Sequence, residues 1–165
     1  MPRRSAGVLL YRYEGPEKGP GKGPGKGPEL QVLLAHPGGP FWARKDEGAW
    51  SIPKGEYDES EDPWRAAQRE FAEELGTGPP AGPRIDLGEI RQGGGKVVTV
   101  FAVRGDLDAA AIVSNTFELE WPRGSGRLRE FPEVDRAGWF GLDEARAKLL
   151  KSQLPVLDRL LVALR

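Results

Sequence analysis

The 165-residue chain, 38% hydrophobic and 30% charged, has the length and composition of one compact domain able to bury its own core, with no room for a second. A formal net charge of −1 excludes a globally basic nucleic-acid footprint, and no apolar run is long enough to span a membrane. The absence of cysteine excludes disulfides, thiolate zinc sites and cysteine nucleophiles, so a metal must be held by oxygen ligands or by the single histidine, His36.

The first residues, MPRRSAGVLLYRYEG, alternate into charge within a few positions and lack a cleavage pattern, so a cytoplasmic protein is expected. Residues 6–13 (AGVLLYRY) and 30–36 (LQVLLAH) read as neighbouring strands. Between them, residues 15–28 repeat Gly-Pro-Gly-Lys at a period of four, which is wrong for collagen and offers no apolar side chain to order the segment. A flexible loop insertion is expected there; the alternative is a basic finger in which Lys18, Lys22 and Lys26 reach a polyanion.

Residues 37–54 (PGGPFWARKDEGAWSIPK) read as a loop rich in aromatic and basic side chains, ending in a short strand around Trp50 to Ile52. Asp62-Pro63 then supplies a capping carboxylate and a proline for the first helical position, and Gly76 a stop, so the pattern predicts a helix over 63–76. After a Gly-Pro-rich break, strands are expected near 85–91 and 96–104 around a GGG turn, then near 116–121 and 137–140. A final helix beginning near Gln153 places Leu157, Leu160, Leu161 and Leu164 on one stripe, suited to packing on a sheet.

The chemistry concentrates on the 63–76 helix. At 3.6 residues per turn, Glu74 lies about 40° around the axis from Glu70 and Glu73 about 60° to the other side, so three carboxylates share a face. Like charges at this spacing repel unless a cation sits among them, and hard oxygen ligands suit Mg²⁺ or Mn²⁺. Read by itself, such a helix is equally a solvated acidic face. Ala67, Phe71 and Leu75 form a separate apolar face for the core.

The spacing of Gly55, Glu61, Arg69-Glu70-Phe71, Glu73-Glu74 and Gly76 resembles the Nudix box, G-x5-E-x7-R-E-U-x-E-E-x-G-U, where U is a bulky apolar residue. A chance match of the seven fixed identities is on the order of 10⁻⁸ per start position. Thr77 departs from the last apolar position, which packs a turn and carries no chemistry. The preceding Trp50-Ser51-Ile52-Pro53-Lys54-Gly55 resembles the lead-in of diadenosine polyphosphate and diphosphoinositol polyphosphate hydrolases of that family. SAGVLLYR and EVDRAGWFGLDEA resemble its strands and closing helix.

The resemblance implies an α/β/α sandwich with a mixed β-sheet and the box helix at the edge of a cleft, formed by a single domain over 1–165. It implies Glu70 and Glu74 as metal ligands with Glu73 assisting, the Gly55 carbonyl completing the shell, and Arg69 and Glu61 supporting the glutamates. An additional glutamate outside the box is expected at Glu133, in a loop ahead of the 137–140 strand, with Glu118, Glu120 and Glu130 competing. Glu73 or Glu133 would take the proton from water.

Lys54, Arg44 and Lys45 are candidates for polyphosphate contact, with a solvated surface position as the alternative. Phe41, Trp42 and Trp50 are candidates for stacking a base, with core packing as the alternative for the tryptophans; His36 is expected to be structural. The implied reaction is Mg²⁺- or Mn²⁺-dependent hydrolysis of a phosphoanhydride in a nucleoside diphosphate linked to another group. Dinucleoside polyphosphates or nucleoside triphosphates lead, with ADP-ribose, diphosphoinositol polyphosphates or a non-catalytic nucleotide sensor as alternatives. A monomer or homodimer with no stable nucleic-acid or membrane partner is expected. Subfamily markers, a tyrosine or a proline some sixteen positions after the box, are absent from Arg91-Gln92-Gly93-Gly94-Gly95.

Overall fold

Strand β1 (Arg3–Glu14) carries aliphatic side chains that point alternately to two faces, and both faces are covered. Ala6, Val8 and Leu10 enter one core cluster, while Leu9 and Tyr11 enter another on the opposite side. The computed structural model describes residues 3–15 and 28–165. Of the insertion expected over 15–28, residues 16–27, with Lys18, Lys22 and Lys26, lie outside the described ones.

Around β1 the sheet is mixed. Its path runs β4 (Arg84–Gln92), β5 (Lys96–Arg104), β1, β2 (Glu29–Pro37) and β8 (Val134–Gly141), with the short β3 (Lys54–Glu56) also paired to β1. β1 is parallel to β5 and antiparallel to β2 and β3. Helix α1 (Pro63–Leu75) covers one face with Ala66, Ala67, Phe71 and Leu75. Helices α2 (Leu142–Lys148) and α3 (Pro155–Ala163) cover the other with Ala145, Val156, Leu157 and Leu160. The result is the α/β/α sandwich that the resemblance implies.

The feature that makes a cleft is the parting of β1 from β2. Residues 11–14 of β1 pair with β2, whereas Ser5–Gly7 pair with β3, so the two strands diverge and residues 50–54 wedge between them. The wedge is bonded on both sides: Ala35 and Ser51 exchange backbone hydrogen bonds at 2.8 and 2.9 Å, and Val8 N–H donates to the Pro53 carbonyl at 3.2 Å. Buried Gln153 braces it, accepting from Ile52 N–H at 3.0 Å and donating to Ser51 Oγ at 2.9 Å.

Three expectations need correction. The strand expected around Trp50 to Ile52 stands instead at Lys54–Glu56, while Trp50 and Ser51 make only isolated bridges. A wedge that changes partner from residue to residue and contains Pro53, which has no N–H, cannot sustain a ladder. Second, the chain between 116 and 134 is a hairpin of β6 (Thr116–Glu120) and β7 (Leu128–Pro132), so Glu133 is the single residue between β7 and β8 rather than part of a long loop. β7 is exposed apart from Phe131, which explains its weak apolar signal. Third, the last helix starts at Pro155, and its buried stripe is Val156, Leu157 and Leu160, with Leu161 half-buried.

Candidate active site

Helix α1 is held at both ends by its own sequence. Trp64 and Arg65 N–H groups donate to the Asp62 carboxylate, and Gly76 adopts the left-handed conformation at φ 88° that closes the last turn. Its apolar face is fixed on the sheet, so its remaining side chains have a defined direction.

Arg69 organises the polar side. It donates to Glu61 through Nε (2.9 Å) and Nη2 (2.8 Å), and its Nη1 donates to Glu70 (2.8 Å) and Glu73 (3.2 Å). One planar guanidinium therefore joins three carboxylates, which a lysine could not do. These contacts push the Arg69 pKa up and the Glu61 pKa down. The repulsion expected among Glu70, Glu73 and Glu74 is thus relieved in part by Arg69, leaving Glu74 apart from that network.

Glu70 is buried, and its carboxylate lies over the backbone of Gly55. A Cβ at Gly55 would stand 2.0 Å from the carboxyl carbon, so only glycine permits the approach. Burial raises the Glu70 pKa, Arg69 opposes the rise, and the charges of Glu73 and Glu133 add to it.

Glu74 faces a cavity of about 220 Å³ whose lining includes Lys54, Glu133, Trp42, Ser51, Pro37 and Val134. Burial pushes the Glu74 carboxyl up to about 8; Lys54 acts against this, and Glu70 and Glu133 reinforce it. Burial likewise lowers the Lys54 pKa, countered chiefly by Glu74. The Glu133 pKa is raised by burial and then by the negative charge of Glu73.

These carboxylates raise one another's proton affinity because the cluster carries more negative charge than Lys54 and Arg69 neutralise. Hard oxygen donors in this state fit a divalent cation of the Mg²⁺ or Mn²⁺ type. Among the described residues, no three His, Asp or Glu side chains form a metal-holding group by themselves. The Glu70 carboxylate packs against the backbone of Gly55, the residue whose carbonyl the resemblance implies as a further ligand.

The remaining candidates divide. Trp42 lines the cavity, with Lys45 Nζ 4.9 Å from its ring centroid. Arg44 and Lys45 are exposed and are not among the lining residues. Phe41 is exposed and packs edge-on against Trp121 at 5.4 Å.

Trp50, a candidate for stacking, takes the alternative and is a core residue. It is 5% exposed, donates from Nε1 to Asp46 at 2.8 Å, and packs edge-to-face on His36 and Phe140. Buried against these two rings, it has no face open to a base.

His36 is fully buried between Asp135 (Nδ1, 2.8 Å) and the Lys45 carbonyl (Nε2, 2.6 Å), a structural arrangement. Glu118 and Glu130 are exposed cross-strand partners on the β6–β7 hairpin, and Glu120 accepts from Gly124 N–H at 2.7 Å. Of the four competing glutamates, Glu133 is the one lining the cavity. Sequence reasoning missed the lining contributed by Ala35, Ser51, Val134 and Leu150, whose small or apolar side chains give no local signal.

A family model described as NUDIX domain matches residues 1–160. No curated protein sequence matches the chain. Among solved structures, the chain is similar to the Nudix domain of Shewanella oneidensis NrtR, complexed with ADP ribose (TM-score 0.64, 18% identity, covering 100% of this chain and 90% of that one). It is also similar to a MutT/Nudix family protein from Listeria innocua (TM-score 0.60, 22% identity, 99% and 95% covered). A third similar structure is the C. elegans Ap4A hydrolase (TM-score 0.57, 18% identity, 100% of both chains covered). At these identities the structural likeness speaks for the fold.

Proposed function

The chain belongs to the Nudix family, and on that premise we propose that it is a pyrophosphohydrolase, cutting a phosphoanhydride bond of a nucleoside diphosphate linked to another group, with Mg²⁺ or Mn²⁺ as cofactor. Dinucleoside polyphosphates or nucleoside triphosphates are the leading substrates. The observation that carries this reading is the meeting of Glu74, Glu133 and Lys54 in one cavity beside Trp42, next to the Arg69-braced Glu70.

Glu70, Glu74 and the Gly55 carbonyl would hold the cation, with Glu73 assisting. When bound, the cation supplies Lewis-acid polarisation of the phosphate and neutralises charge that builds on its oxygens. Glu133 accepts the proton of the attacking water, its raised pKa bringing it nearer neutrality than an ordinary glutamate; Glu73 is the second candidate. Arg69 acts through the glutamates, fixing where their oxygens stand. Lys54 contacts a phosphate oxygen, and Trp42 offers the nucleobase a face. Arg44 and Lys45 are left as outer contacts for the phosphate chain.

The family match over 1–160 supports reading 1–165 as one Nudix domain. No helix among the described residues is long and apolar enough to cross a membrane. A second substrate reading, ADP-ribose, draws on the ADP-ribose complex of the similar NrtR domain.

The test is a phosphatase-coupled screen of phosphate release across nucleotide, dinucleotide and sugar-nucleotide libraries with Mg²⁺, Mn²⁺ or EDTA. We expect cation-dependent turnover greatest on dinucleoside polyphosphates or nucleoside triphosphates. Preference for ADP-ribose would move the substrate to the second reading, and tight nucleotide binding without turnover would make the chain a sensor.

A further inference from the structure

Glu133 sits at a junction where several backbone segments meet. Its N–H donates to the Asn115 carbonyl (2.9 Å), and Asn115 N–H donates to the Glu73 carbonyl on α1 (2.8 Å). On its other side, Gly38 N–H donates to the Glu133 carbonyl (2.9 Å). An unbroken run of three backbone hydrogen bonds therefore links the box helix to the segment just beyond β2, passing from Glu73 through Asn115 and Glu133 to Gly38.

Two local features hold the Gly38 end. The register of β2 with β8 slips between His36, opposite Arg136, and Pro37, opposite Val134, so Asp135 is the extra residue of a bulge. The Asp135 carboxylate is tied to buried His36, and Val134 N–H donates to Ser114 Oγ at 3.0 Å. The bulge brings the Pro132–Glu133 peptide down onto Gly38. A Cβ on Gly38 would stand 1.9 Å from the Pro132 carbonyl oxygen and 2.9 Å from its carbon, both backbone atoms that cannot swing aside as a side chain would.

We propose that Gly38 is a positioning residue: by lacking a side chain it lets the Pro132–Glu133 peptide seat against the end of β2, and so sets where the Glu133 carboxylate stands over the cavity. This rests on the reading of Glu133 as the proton acceptor. Real Cβ contacts stay beyond 3.0 Å, so alanine at Gly38 forces the peptide outward by about 1 Å. Misplacement of a reacting group by about 1 Å costs on the order of 100-fold in rate.

The experiment compares wild type, Gly38→Ala, Glu133→Gln and the double variant in steady-state hydrolysis, with a crystal structure of Gly38→Ala. The expected result is a fall in kcat of about 10- to 100-fold for Gly38→Ala with KM changed less than about threefold, and little further loss when it is added to Glu133→Gln. The crystal structure should show the Glu133 backbone displaced from Asn115 or from residue 38. Should Gly38→Ala not fold, Asp135→Ala, which releases the bulge from a partly exposed position, should give the same kcat-specific and non-additive loss. Wild-type kcat in a folded Gly38→Ala, full additivity with Glu133→Gln, or an unmoved Glu133 backbone would each overturn the proposal. If wild type hydrolyses nothing, it is the proposed function that fails, and the displacement of Glu133 still decides the geometric claim.

Discussion

Replacing Glu74 with glutamine separates what burying this carboxylate costs from what it does. In the cation-free protein burial holds its pKa at about 8 against an ordinary 4.5. The folded state therefore keeps a proton that the unfolded chain has released, and the stability this brings is complete below pH 4.5 and lost as pH rises through about 8. At about 1.4 kcal/mol per pH unit, the interval caps the loss near ~5 kcal/mol; partial solvent access to Glu74 brings it to on the order of 1–3 kcal/mol. Glutamine is neutral throughout. In EDTA at about pH 9, Glu74→Gln should unfold above wild type by roughly 3–10 °C, since about 1 kcal/mol moves the Tm of a domain this size by a few degrees. Near pH 4.5 the two should coincide. Scanning calorimetry at both pH values reads this directly. Excess Mg²⁺ should shrink or invert the gap, because the cation stabilises the state that binds it, and turnover of the variant should fall by orders of magnitude. A Glu74→Gln protein less stable than wild type at both pH values in EDTA would refute the reasoning.

Arg69→Lys replaces a guanidinium that serves Glu61, Glu70 and Glu73 with a single ammonium; turnover should drop about 10- to 100-fold with a smaller loss of Tm, and an unchanged rate would remove Arg69 from the site. Trp50→Ala should cost about 3–5 kcal/mol in urea unfolding as a core truncation, whereas Trp42→Ala should leave stability nearly intact and raise KM for nucleotides. The opposite pattern would restore Trp50 as the stacking residue. Because Glu14 and Glu29 are register partners, residues 16–27 should be replaceable by a short turn with little change in Tm or KM. A large rise in KM would show that Lys18, Lys22 and Lys26 hold substrate.

How much of the site was legible follows from which residues carry local constraints. The box helix was readable to within a residue because its cap, its proline, its closing glycine and its carboxylate spacing all lie within one contiguous segment. The role of Arg69 as a brace was implied by resemblance, but its partition, with Glu70 and Glu73 on the guanidinium and Glu74 turned toward Lys54, depends on rotamers that no spacing encodes. For Trp50 the residue type alone left base stacking and core packing both open; the divergence of β1 from β2, which draws residues 50–54 inward, decides for the core. The β7 strand escaped notice because pairing with β6 and one aromatic contact, Phe117 with Phe131, hold it in place of an alternating apolar face. Glu133 was found by its place before the last strand, but its seat on Gly38 depends on a bulge, a long-range pairing irregularity invisible to local pattern.

The most direct measurement is a Mn²⁺ titration followed by electron paramagnetic resonance on wild type, Glu70→Gln and Glu74→Gln, with turnover of the best substrate recorded in the same samples. A cation held by Glu70 and Glu74 predicts that both variants weaken Mn²⁺ binding at least about tenfold and lose turnover in parallel, while Glu118→Gln on the exposed hairpin behaves as wild type. Undiminished Mn²⁺ binding in Glu70→Gln and Glu74→Gln, or full turnover in EDTA, would contradict a cation-dependent hydrolase centred on this cleft.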